Sequence, residues 1–174
     1  MDAAHRRWWQ IFEVVFGLPL AVAGLLQIVI PWSLPFGAGA PVAAGIGAVT
    51  AIAGLAFVVL ARRQFARFGQ PTDPGRPTSR LVTTGVFAIS RNPLYVGGVM
   101  VLAGFGLLFN LAWVLLLLVP GVIACNALLI APEERYLGAK FNGAYQRYAN
   151  TVCRWIGVRT GELSAPESGR EFRE

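Results

Sequence analysis

The chain has 174 residues, 55% of them hydrophobic and only 14% charged, with a formal net charge of +6 and a mean hydropathy of +0.56. A soluble domain carries about a quarter charged residues, and a small one cannot cover this much apolar surface. An ordinary cytosolic globular protein, a disordered chain and a secreted disulfide scaffold are excluded, which leaves an all-α polytopic membrane protein, read as a single membrane domain over residues 1–174.

In chain order, the first feature is His5-Arg6-Arg7 followed by an apolar run. Together with Ala21-Val22-Ala23 this is also the layout of a cleavable signal peptide. The run continues past Ala23 to Ile30, so it reads as a first helix over about 9–30. No Asp, Glu, Lys or Arg lies between Glu13 and Arg62, or between Arg91 and Glu133. Each gap holds two passes at roughly 20 residues apiece. The proline- and glycine-rich stretch 31–41 divides the first gap and starts a second helix over about 42–61. In the second gap Phe109-Asn110-Leu111 separates a third helix, about 93–109, from a fourth, about 111–131. Pro19 and Pro120 lie inside spans, where kinks rather than breaks are expected. Gly45, Gly47, Gly54, Gly97, Gly98, Gly104 and Gly106 are suited to close helix packing.

All 15 Lys and Arg fall at the N-terminus, in the 62–91 connection or after residue 131. The positive-inside rule then places both termini and the middle loop in the cytoplasm, with the protein in the inner membrane. The positive charge reads as topology and attraction to membrane lipids, not nucleic acid, because the arginines are dispersed among spans. Cys125, Cys153 and the lone His5 provide no metal-ligand spacing, so no metal site is expected.

Polar side chains concentrate in two segments. The first, 70–95, begins as an extended proline-rich connection and leads into the third helix. Asn92 is placed to cap that helix and Pro93 suits its first position. Arg91 then stands at a helix N-terminus, favourable for an anionic group, or snorkels to lipid phosphate. The second segment is 132–155, where Leu137, Phe141, Tyr145, Tyr148 and Val152 form one face of an interfacial amphipathic helix. Glu133 and Glu134 either occupy the favourable first turn of a helix begun by Pro132 or serve a cation, a ribose or a partner arginine.

The strings Leu81-Val-Thr-Thr-Gly85-Val-Phe87 and Arg91-Asn92-Pro93-Leu94-Tyr95-Val96-Gly97, followed by Glu133-Glu134-Arg-Tyr-Leu137 and Val152-Cys-Arg154-Trp155, resemble the isoprenylcysteine carboxyl methyltransferase and phospholipid methyltransferase superfamily. The resemblance covers about residues 70–157. It leaves 1–69 as two N-terminal transmembrane helices and 158–174 as a flexible tail. It implies an S-adenosylmethionine-dependent methyltransferase acting on a lipophilic, isoprenoid or phospholipid-like, acceptor at the cytoplasmic face. Cofactor-binding positions carried over are Gly85, Arg91, Asn92, Pro93, Tyr95, Glu133 and Glu134. Glu134, Arg154 and Lys140 are candidates for handling the acceptor. Two departures stand out: Asn92 replaces the commoner histidine, and Cys153 replaces the usual proline before Arg154. An NADPH-dependent reductase of the sterol-reductase type shares the Arg-x-Pro-x-Tyr pattern, but GxGxxG is absent here. A non-catalytic membrane scaffold is the third reading.

Overall fold

The computed structural model describes residues 12–69 and 79–159. The basic N-terminal cluster, the proline-rich half of the 70–95 segment and residues 160–174 of the expected flexible tail lie outside the described residues. All regular structure among the described residues is helical, apart from an isolated bridge between Val152 and Val158.

Helix α1 spans Phe12–Val29 and passes through Pro19. The breaker at 31–41 does end it, and after a short 3-10 turn at Gly37–Gly39 the chain enters α2, Ala40–Arg67. Helix α3 covers Pro93–Leu108 and α4 covers Ala112–Cys125, through Pro120. Asn110 turns the α3–α4 hairpin in the left-handed region at φ 51°. Its side chain also ties in the preceding loop, accepting from the Leu34 amide at 2.8 Å and donating to the Leu34 carbonyl at 3.0 Å. At the same end Trp113 donates to the Ile30 carbonyl and meets Trp32 edge-on, with ring centroids 5.1 Å apart.

Two helical stretches, Gly37–Arg67 and Ala112–Phe141, are long and apolar enough to cross a membrane; Val14–Val29 and Pro93–Leu108 are shorter apolar helices. Of the four expected passes, those over about 42–61 and 111–131 fall within the two long stretches, whereas those over about 9–30 and 93–109 are the shorter apolar helices. Sixteen residues rise about 24 Å, short of a hydrocarbon core of about 30 Å.

Helices α2 and α3 pack antiparallel with their backbones in contact. A Cβ at Gly47 would lie 2.7 Å from the Gly104 carbonyl oxygen, and one at Gly54 would lie 2.7 Å from that of Gly97. Both pairs are seven residues apart, so the glycines meet two turns apart along one seam. Without a hydrophobic force between helices in lipid, such close van der Waals approach is what holds them. Gly45 opens on empty space and takes no part. Helix α4 packs on α3, and α1 on α4, where Val15 and Phe16 join Cys125, Leu129 and Ile130 in a buried cluster.

The second half departs from the sequence reading. Helix α4 continues through a π-helical turn at Asn126–Ile130 into α5, Ala131–Phe141. Pro132 therefore begins no helix. A proline ring clashes with the carbonyl four residues back, and the wider turn just upstream relieves that clash. Glu133 and Glu134 sit inside a continuous helical rod, so the first-turn capping explanation for them falls. The single amphipathic helix expected over 132–155 is likewise broken, because Asn142 adopts φ 46° and ψ −125°, and α6 runs separately from Gly143 to Thr151. The aromatic stripe survives by folding on itself: Tyr145, Tyr148 and Val152 are buried against Leu137, Phe141 and Leu81. Gly157, Val158 and Arg159, at the expected start of the tail, are tied into the fold. The Gly157 amide donates to the Ile89 carbonyl at 2.8 Å, and the Arg159 amide donates to that of Thr151 at 2.8 Å.

Candidate active site

The end of the bundle opposite Trp32 and Trp113 carries Arg62, Arg63 and Arg67 of α2, all exposed. Here the segment 80–92, Phe65 of α2, α5 and α6 surround a hollow of about 470 Å³, its open mouth included. Its polar lining is Arg80, Arg91, Asn92, Glu133 and Glu134; Phe65, Phe87 and Leu137 are among its apolar walls, with Tyr145 and Tyr148.

Glu134 is the hub. One of its carboxylate oxygens lies 3.2 Å from Arg91 Nη1 and 3.0 Å from Arg154 Nε, and the other lies 2.6 Å from Arg154 Nη2. Two guanidiniums thus share one carboxylate, Arg154 in the bidentate mode that gives charge-assisted pairs their strength. That hydrogen-bonding raises the Arg154 pKa. The Arg91 side chain is only 9% exposed. It donates from Nη1 to the Tyr145 hydroxyl at 3.3 Å, while its Nε–H is buried and meets no acceptor among the described residues. Tyr95, in α3, donates to Glu133 Oε2 at 3.1 Å.

The loop carrying Arg91 is held from behind. Tyr148, in α6, donates its hydroxyl to the Phe87 carbonyl at 2.7 Å, and Ser90 is fully buried beneath it. Asn92 does not cap α3 with its side chain; its amide Nδ2 donates to the Arg154 carbonyl at 3.0 Å. The expected cap is thereby corrected, while Pro93 does take the first turn of α3 and is fully buried.

The sequence-derived residues therefore separate into three groups. Arg91, Asn92, Glu133 and Glu134 line one hollow, with Tyr95 attached through Glu133 and Arg154 through Glu134. Gly85 and Pro93 shape the backbone without lining it. Gly85 takes φ 65°, and a Cβ there would lie 3.2 Å from the Gln64 side chain of α2. Lys140 is exposed, its ammonium bonded to the Tyr136 hydroxyl at 3.0 Å, away from the lining. Sequence reasoning took Tyr145 and Tyr148 as packing and passed over Ser90, Phe65 and Arg80. A signal existed for the tyrosines only: a hydroxyl on a buried stripe needs a partner.

Burial, followed by the nearby Glu134 charge, pushes the Tyr145 phenol up to about 12, and burial raises Tyr148 still further. Below pH 10 folded and unfolded chains both keep these protons, and pH has no leverage through them. Between 10 and 12 only the unfolded chain ionises, so stability falls as pH rises through that window. A tyrosinate absorbance titration, with Tyr145→Phe and Tyr148→Phe to assign the signals, should show both residues ionising well above pH 10 in the folded protein. Ordinary titration of these two near pH 10 in the folded protein would contradict the burial.

No curated protein and no solved structure matches this chain. Residues 42–144, more than half of the chain, match the family model for phospholipid methyltransferases, and this span takes in the α2–α3 pair, Arg91–Tyr95 and both site carboxylates. The protein belongs to the phospholipid methyltransferase family, and through it to the isoprenylcysteine/phospholipid methyltransferase superfamily.

Proposed function

We propose that the protein is a membrane methyltransferase that uses S-adenosylmethionine and methylates a lipophilic acceptor at the cytoplasmic face. In this reading α1–α4 all cross the bilayer, the shorter α1 and α3 paired antiparallel with the longer helices, and both termini are cytoplasmic. The observation that carries the proposal is the convergence of Arg91 with Glu133 and Glu134 on one hollow at the basic end of an apolar bundle.

The residues present fit such a cofactor. A buried guanidinium N–H without an acceptor costs about 1–3 kcal/mol, and a carboxylate held against Arg91 would satisfy it. Glu133, steadied by Tyr95, is suited to an ammonium or a hydroxyl pair, and the apolar walls to a purine. When bound, S-adenosylmethionine supplies an activated methyl group on a sulfonium. What the protein adds to an in-line displacement is chiefly position and electrostatics. Arg91 orients an anionic end and Glu134 holds Arg91. The hydroxyls of Tyr95 and Tyr145 fix the two charged partners. Arg154 would orient an anionic acceptor; for an amine acceptor, Glu134 would receive the proton only by releasing one of its guanidinium bonds. The lipid portion of the acceptor stays among the apolar helices, which suits an isoprenoid or acyl chain.

Calorimetry on the detergent-purified protein should detect S-adenosylmethionine binding and none with NADPH. Arg91→Lys keeps the charge but loses the planar fork, and should weaken binding at least about tenfold, the worth of one charge-assisted hydrogen bond. NADPH binding in place of S-adenosylmethionine would favour a reductase; binding of neither would leave a scaffold.

A further inference from the structure

We infer that Asn92 is a positioning residue that acts through Arg154, and is not itself a contact to the cofactor. The functional arm of this inference rests on the methyltransferase reading; its structural arm does not.

Asn92 stands at the N-cap position of α3 and is 7% exposed. An asparagine there ordinarily turns its side chain onto the first-turn amides. This one forgoes that local bond and reaches a carbonyl 62 positions away, that of Arg154. Its own backbone amide donates to the buried Ser90 hydroxyl at 3.0 Å. Neighbouring bonds tie the same two segments: the Arg91 amide donates to the Cys153 carbonyl at 3.1 Å, and in return the Gly157 amide donates to the Ile89 carbonyl at 2.8 Å. Residues 153–157 are thus laid along 89–92, and the Arg154 carbonyl accepts from Asn92 Nδ2 at 3.0 Å and, at the longer distance of 3.5 Å, from the Ser90 hydroxyl.

That fixation matters because the Arg154 side chain is 41% exposed. A partly solvated arginine has wide rotamer freedom, yet this one holds Glu134 through both Nε and Nη2. Glu134 in turn holds Arg91, the buried cation of the hollow. The relay therefore runs from the Asn92 amide to the Arg154 backbone, from its guanidinium to Glu134, and from Glu134 to Arg91. Any group with an N–H at the place of Nδ2 should serve. An imidazole qualifies, since its Nδ1 is the same number of bonds from the backbone.

The test compares the wild type with Asn92→Asp, Asn92→Ala, Asn92→His, Arg154→Ala and the Asn92→Asp/Arg154→Ala double variant. Arginine Nε–H resonances in nitrogen-labelled protein report the Arg154–Glu134 pair directly, with Arg154→Ala assigning the signal. A protected Arg154 signal is expected in the wild type and in Asn92→His, and exchange with solvent in Asn92→Asp and Asn92→Ala. Protection retained in both of the latter would overturn the inference, whether or not the protein binds S-adenosylmethionine. In calorimetry, Asn92→Asp and Arg154→Ala should each weaken S-adenosylmethionine binding about tenfold, and the double variant no more than Arg154→Ala alone. Additive losses would make Asn92 a direct contact and sink the relay. A wild type that binds no S-adenosylmethionine would remove the functional reading, while the resonance arm still decides the positioning role.

Discussion

Replacing Gly54 with leucine will separate the α2–α3 pair and lower the thermal midpoint of the purified protein by about 10 °C, whereas Gly45→Leu will leave it nearly unchanged. At Gly54 even the first added carbon would lie 2.7 Å from the Gly97 carbonyl oxygen and 2.8 Å from the Val101 amide nitrogen. These are backbone atoms of a facing helix and cannot rotate aside. The helices must part, and the partner glycine pair at Gly47 and Gly104 parts with them. Overpacking in a tight interior costs about 1–3 kcal/mol, and a backbone clash belongs at or above the upper end. For a chain of this size each kcal/mol moves the midpoint by about 2–4 °C. Gly45 meets nothing within 4 Å and is exposed, so the same added volume there faces the surrounding apolar medium. Equal effects at the two positions would mean that the seam does not run through Gly54.

Glu134→Ala is expected to destabilise the protein by about 3–5 kcal/mol, the range seen when one partner of a buried ion pair is removed. The cost arises from what is left behind. The Arg91 side chain is 9% exposed and, among the described residues, would keep the Tyr145 hydroxyl as its side-chain partner. Arg154, more exposed, would turn to solvent with little penalty. The asymmetry gives a second check: removing Arg91 as well should restore part of the loss, because the stranded charge goes with it, while removing Arg154 as well should not. Chemical denaturation in detergent micelles reads both. An Arg91→Ala/Glu134→Ala protein no more stable than Glu134→Ala alone would show that the buried guanidinium is not the source of the penalty.

Both results concern contacts that composition and spacing do not specify. The apolar character, the charge-free stretches and the breakers at 31–41 and 109–111 were legible because they depend on residue type along a line: hydropathy and proline or glycine act locally. The start of α3 at Pro93 was legible for the same reason. The motif residues Arg91, Glu133 and Glu134 could be singled out by pattern, and the structure brings them to one hollow.

Other features were not open to a linear reading. The seam needs Gly47 to face Gly104 and Gly54 to face Gly97, a register set by the antiparallel fold, so Gly45 looked equivalent until the helices were paired. The π turn at 126–130 carried the helix through Pro132, overriding a local start signal because the wider turn accommodates the ring. Asn142 broke the amphipathic helix although its stripe continues in sequence. The asparagine at 92 looked like a cap because caps are local; its partner, the Arg154 carbonyl, lies 62 residues on. By itself, then, the amino-acid order determined a membrane-type helical chain, its breakpoints and the identity of the charged residues at its basic end. Only the tertiary structure decided which glycines touch and which carboxylate holds the two arginines, because those choices are made by through-space distances between segments that local propensity cannot bring together.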